Sequence, residues 1–240
     1  IAFENEVCCF LGLPDGYAVA VANGTSALFL ALWVLQAGGK IIAFPVYVCS
    51  ALRHAVKMVG GLELLIDISR NMPNINLKAL QKSGAPIAII PHMFGLPLDL
   101  SKIEGIDVVE DCAHAIGASV DQIPVGLQGK VGIFSFYASK LMTSGGHGGM
   151  VVSQDKNLID AIKDYRNFDN RKDKKRRFNF QMTDLQAAIG REQLKKLPSF
   201  LSRRAEIFDQ YPDRSDLNFD KIKASPKRLQ KLTLSAERSD

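Results

Sequence analysis

Short apolar runs rich in Val, Ile and Phe alternate along the chain with stretches whose apolar residues recur at helical spacing. The runs at 17–22, 40–44, 62–67, 86–91, 106–110, 131–136 and 149–153 are strand-length and nearly continuous in apolar character. That is the pattern of strands covered on both faces. Helices are expected at 25–36, 47–59, 76–82, 155–167, 183–195 and 198–210. Gly24-Thr25-Ser26 gives the first of these a start signal, and Gly38-Gly39 ends it. Strand and helix in alternation predict an α/β fold, a mostly parallel central sheet with helices on both faces.

Ile1 opens the chain inside a helical pattern carried by Ile1, Phe3, Val7, Phe10 and Leu11, whereas residues 227–240 are polar with little periodicity. Both ends read as cut, and the chain is expected to be part of a longer protein. A large domain over 1–196 would lead into the start of a truncated small C-terminal domain over 197–240. The length of 240 residues suffices for one full α/β core.

Composition removes several classes. The apolar stretches at 41–44 and 87–91 are too short to cross a bilayer, so no membrane partner is expected. Cys8, Cys9, Cys49 and Cys112 show neither CxxC spacing nor histidines at zinc-like intervals. They read as free thiols of a cytoplasmic protein, with no metal site. The net charge of +5 is local in origin: Arg171, Lys172, Lys174, Lys175, Arg176 and Arg177 crowd one stretch. This is either a solvated loop or a cationic rim that gathers phosphate-bearing ligands. No helix-turn-helix pattern or interleaved aromatics accompany it, which excludes a nucleic-acid partner.

Open α/β sheets bind ligands at the carboxyl ends of their strands. Asn23-Gly24-Thr25-Ser26 follows the first predicted strand there, Asp111 the fifth, and Ser135 closes the sixth with Lys140 just beyond. Consecutive backbone N–H groups and two hydroxyls at a helix start can hold a phosphate, or simply cap the helix. Asp111 can project into a site or cap the next helix. Lys140 precedes the glycine run Gly145-Gly146-His147-Gly148-Gly149, which lets backbone approach a bound group. Together these groups suit pyridoxal 5′-phosphate (PLP), which needs a lysine for its Schiff base, a carboxylate against the pyridine nitrogen and donors for its phosphate.

Five stretches carry a resemblance. They are Asn23-Gly24-Thr25-Ser26-Ala27-Leu28, Pro91-His92-Met93-Phe94-Gly95 and Val109 through Ala115, then Phe134-Ser135-Phe136 through Lys140, and Phe178 through Ala188. In this order and at these spacings the chain resembles the DegT/DnrJ/StrS family of PLP-dependent sugar aminotransferases, over residues 3–211. The resemblance implies the large domain of the PLP-dependent transferase fold type I. It makes Lys140 the Schiff-base lysine and proton carrier, and Asp111 the partner of the pyridinium nitrogen. His114 would contact the phenolic oxygen, while Gly24, Thr25, Ser26 and Ser135 would surround the phosphate. Asn179 matches a residue that reaches the partner subunit's phosphate, so a homodimer with shared sites is implied. The implied reaction moves an amino group, from glutamate as donor, to a nucleotide-linked keto-sugar.

Three departures stand out. The ring-stacking aromatic expected near Cys49 is replaced by Tyr47 two positions earlier, which a strand end would present on the same side. Gly145-Gly146-His147-Gly148-Gly149 carries His147 in place of an acid, and Gln181 stands where a basic residue is common. A related dehydratase branch has His in place of the lysine, against which Lys140 speaks. The alternative is a PLP-binding relative without transamination: dehydratase-like, regulatory or an inactive fragment. Trp33 and Cys112 are expected to pack in the core, and His92 matches a family motif with a structural role as its other reading.

Overall fold

The computed structural model describes residues 1–70 and 72–210. Strands β1 (Ala18–Val21), β2 (Ile41–Pro45), β3 (Leu62–Ile66), β4 (Ile87–Pro91) and β5 (Asp107–Asp111) are joined through helices α2 (Gly24–Val34), α3 (Ala51–Met58) and α4 (Leu77–Gln81), and α1 (Ala2–Leu11) precedes them all. A small hairpin, β6 (Ser119–Val120) with β7 (Ile123–Pro124), leads to β8 (Val131–Ser135) and β9 (Gly149–Val152); α5 (Lys156–Arg166) and α6 (Asp184–Phe208) follow. Seven strands form one sheet in the order β1-β9-β8-β5-β4-β2-β3. Only β9 runs against its neighbours, β1 and β8; the other pairings are parallel. The mostly parallel sheet expected from the sequence is the one observed.

Alternation along the strands divides the core. Val19, Val21, Val131, Ile133 and Val151 pack with the buried residues of α2, α3 and α5, while Ala18, Ala20, Phe134, Met150 and Val152 pack with α1 and α6 on the opposite face. Glu4 ties three elements together: it accepts the Ala20 N–H at 2.8 Å, and Arg166 donates to it at 2.7 Å. Burial pushes the Glu4 carboxyl up, but the Arg166 charge and the Ala20 N–H outweigh it and hold the group below its ordinary value.

Two helix expectations change. The helix expected from 47 starts at Ala51, because β2 ends in Pro45 and residues 46–49 form an irregular segment before the Ser50 cap. The two helices expected at 183–195 and 198–210 are one helix, α6, with Pro198 inside it. An internal proline costs a helix about 3 kcal/mol. Here Leu194 and Leu197 are buried on one face, and Leu201 continues the stripe by packing against the same cluster, so burial on both sides of Pro198 offsets the break. The expected domain boundary at 196 falls within this helix, and residues 211–240 lie outside the described residues.

One glycine lets β9 pack against the start of α2. Gly149 pairs with Val21 on one side and Ser135 on the other. A Cβ there would stand 2.5 Å from the Asn23 carbonyl oxygen and 3.0 Å from the Gly24 nitrogen. Gly149→Ala is therefore expected to lower stability by about 1–3 kcal/mol through overpacking against rigid backbone. Urea unfolding measures this, and an unchanged midpoint contradicts the close approach.

Candidate active site

The carboxyl ends of β1, β4, β5 and β8 open into one cavity of about 610 Å³. Gly24, Thr25 and Ser26 reach it from the start of α2, Asp111 from the end of β5, Ser135 from the end of β8, and Lys140 from the turn after β8; His114 also lines it. Seven of the nine residues singled out in the sequence thus share one wall.

The α2 end is built for an anion. Asn23 caps the helix by accepting the Ser26 N–H at 2.8 Å and the Ser26 hydroxyl at 3.1 Å. This leaves the Gly24 and Thr25 N–H groups without acceptors among the described residues, at the positive end of the helix dipole. A Cβ on Gly24 would stand 2.9 Å from Ser135 Cβ and 3.0 Å from its Oγ. Only glycine lets the Ser135 hydroxyl come up against the helix start.

Asp111 is buried, and Oδ1 accepts the Ala113 N–H at 3.0 Å. Burial raises its pKa; the Ala113 N–H and the charge of Lys140 oppose the rise without cancelling it. A carboxylate with so little compensation favours a cationic partner in the cavity. On the far side, the Phe94 N–H donates to His114 Nδ1 at 3.4 Å, from a residue held at φ +56°. A bulky residue in that left-handed region is uncommon, and here it aims an amide at a cavity histidine.

Tyr47 and Asn179 stand elsewhere. The irregular segment after Pro45 ends the strand's two-residue period, and Val48 and Cys49 line the cavity instead. Tyr47 is 51% exposed, its ring 6.3 Å from Phe94. Asn179 lies outside the cavity, where its side chain accepts the Gln181 N–H at 3.2 Å. The basic stretch is partly neutralised: Arg177 bonds to Asp164 and Asp173, and Arg171 pairs with Asp164 at 3.2 Å.

Met93 and Tyr137 also line the cavity; both lie within stretches that carry the resemblance, but neither was singled out as a site residue. His147, noted only as a departure, lies on the wall with its ring 5.2 Å from that of Tyr137. His92, Glu110 and Cys112 bring potential ligand atoms within 4.8 Å of one another. They form a closed hydrogen-bonded group instead of a metal cradle. Glu110 already accepts from His92, Gly126 and Gly129, and burial holds the Cys112 thiol well above its ordinary value.

The chain is 37% identical over 176 residues to the UDP-N-acetyl-3-dehydro-alpha-D-glucosamine 3-aminotransferase of Acidithiobacillus ferrooxidans, covering 69% of this chain and 47% of that protein. It is 33% identical over 212 residues to the GDP-perosamine synthase of Escherichia coli O157:H7, covering 81% and 57%. The solved aminotransferase from Psychrobacter cryohalolentis superposes with a TM-score of 0.80 at 28% identity, covering 87% of this chain and 58% of that one. The chain spans about half the length of the curated relatives it matches. With the family model matching residues 1–227, the chain belongs to the DegT/DnrJ/EryC1/StrS aminotransferase family.

Proposed function

We propose that the chain is the PLP-binding part of an aminotransferase that moves an amino group from glutamate to a nucleotide-linked keto-sugar. The observation that carries this reading is the convergence of Lys140, Asp111 and the α2 start on one cavity. The substrate class rests on the names of the relatives, both of which act in nucleotide-sugar chemistry.

PLP fits the residues present. The cofactor is an electron sink when bound, able to accept the electrons released as a substrate C–H bond breaks. Gly24 and Thr25 N–H groups, with the Ser135 hydroxyl held against them, would hold its phosphate. Asp111, buried and under-compensated, would hold a proton on the ring nitrogen. His114 would donate to the phenolic oxygen through Nε2, since Nδ1 already accepts the Phe94 N–H. Lys140 Nζ would take and return the proton at the substrate carbon, as general base and then acid. His147 and Tyr137 lie on the same wall as Lys140, within reach of an incoming substrate.

Asn179, outside this cavity, would serve the partner subunit's site in a homodimer. The four cations of the basic stretch left unpaired with Asp164 or Asp173, namely Lys172, Lys174, Lys175 and Arg176, would attract the substrate's diphosphate. Residues 197–240 would begin the small domain that completes the site, and the enzyme would work in the cytoplasm. No helix among the described residues is long and apolar enough to cross a membrane.

The test is borohydride reduction of the purified protein with PLP, followed by peptide mapping. The expected label falls on the peptide containing Lys140, and glutamate should convert the bound cofactor to its amine form. A label on another lysine, or none, overturns the reading.

A further inference from the structure

Behind the cavity lies a buried charge that the chemistry above does not use. Glu110 precedes Asp111 on β5, so it points to the opposite face of the sheet. Its carboxylate is fully buried and accepts three N–H groups: Gly126 at 2.9 Å, Gly129 at 2.6 Å and His92 Nε2 at 2.8 Å. His92 is equally buried, and its Nδ1 accepts the Leu98 N–H at 3.1 Å. A ring nitrogen that accepts a hydrogen bond keeps its lone pair, so the single ring proton sits on Nε2 and the imidazole is neutral. Burial pushes the Glu110 carboxyl up, but the His92 hydrogen bond and the two glycine amides hold it below its ordinary value. The His92 backbone N–H donates to the Asp111 carbonyl at 3.1 Å. The pair therefore grips the strand end that presents Asp111.

We propose that Glu110 and His92 are positioning residues for Asp111. The Glu110 carboxylate fixes the ring proton of His92 on Nε2 and the Leu98 N–H occupies Nδ1, so the ring stays neutral and no second cation stands beside Asp111, whose charge remains available to a cationic group in the cavity. A protonated His92 would be a permanent rival for that charge, and burial keeps water from screening it. The value of Asp111 to a cofactor rests on the preceding reading; the state of His92 and its effect on Asp111 do not.

Both can be read in the cofactor-free protein. Nitrogen NMR of histidine-labelled protein is expected to show His92 as the neutral Nε2–H form at neutral pH. Carbon NMR should find the Asp111 carboxyl titrating alike in wild type and His92→Gln, which keeps an uncharged donor, and at lower pH in His92→Lys, whose donor is charged. In parallel, His92→Gln should bind PLP within about 3-fold of wild type, while His92→Lys weakens it about 10- to 100-fold, the scale of one charged hydrogen bond. A doubly protonated or Nδ1–H His92 in wild type overturns the proposal. So does an Asp111 titration displaced in His92→Gln. Should His92→Lys fail to fold, the wild-type and His92→Gln spectra still decide. A wild-type protein that binds no PLP instead overturns the function proposed above, whatever the His92 spectrum shows.

Discussion

Lys140→Ala is expected to lower turnover by about 10⁴-fold or more, because one side chain supplies both the covalent anchor and the proton carrier. The loss should come from chemistry and not from folding. The backbone around Lys140 is held without its side chain: the Lys140 N–H donates to the Tyr137 carbonyl, and the Ala138 N–H to the Gly146 carbonyl, each at 2.9 Å. The variant should therefore still bind PLP noncovalently through the α2 start and Asp111, yet give no label after borohydride. Lys140→Arg separates charge from chemistry. It keeps a cation facing Asp111 but cannot form the covalent link, so it should match the alanine variant in turnover. Substantial turnover in either variant, measured with the same substrates as wild type, removes Lys140 from its role.

The sheet was legible because its strands are buried on both faces. Runs such as Ile87–Pro91 have no polar position to confuse the period, and each of the seven predicted sheet strands appears within two residues of its expected bounds. The β6–β7 hairpin was not legible: Asp121 and Gln122 sit in its turn at φ +46° and +67° without the glycine or asparagine that usually marks such turns. Tyr47 illustrates a second limit. Its expected side depended on strand geometry persisting beyond Pro45, and the chain leaves the sheet there. A third is sequence distance. His92 and Glu110 meet because β4 and β5 pair in register, Ile90 opposite Glu110 and Pro91 opposite Asp111. Nothing in the local sequence sets that register. Within Val108-Val109-Glu110-Asp111 the two acids look equivalent, and only the pleat sends one to a closed network and the other to the cavity.

That division makes the effect of Asp111→Asn two-sided. Turnover should fall by about 10²- to 10⁴-fold, since the asparagine cannot hold a proton on the ring nitrogen. The cofactor-free variant, by contrast, should be more stable than wild type at neutral pH. Burial raises the folded carboxyl's pKa above the unfolded value of 3.8, so as pH rises the unfolded chain sheds its proton first. Stability from this group is complete below the unfolded value, falls as pH rises toward the folded one, and stays reduced above it. Asparagine removes that cost while still accepting the Ala113 N–H. The gain should be about 1–2 kcal/mol, the scale of an under-satisfied buried group, or roughly 2–8 °C in Tm for a domain of this size. Added PLP should then stabilise wild type far more than the variant, because only the carboxylate gains a cationic partner. Thermal unfolding of both proteins at pH 7, with and without PLP, measures each part. A cofactor-free variant less stable than wild type would mean that Asp111 is a structural acid already satisfied in the fold, with no charge held in reserve for a ligand.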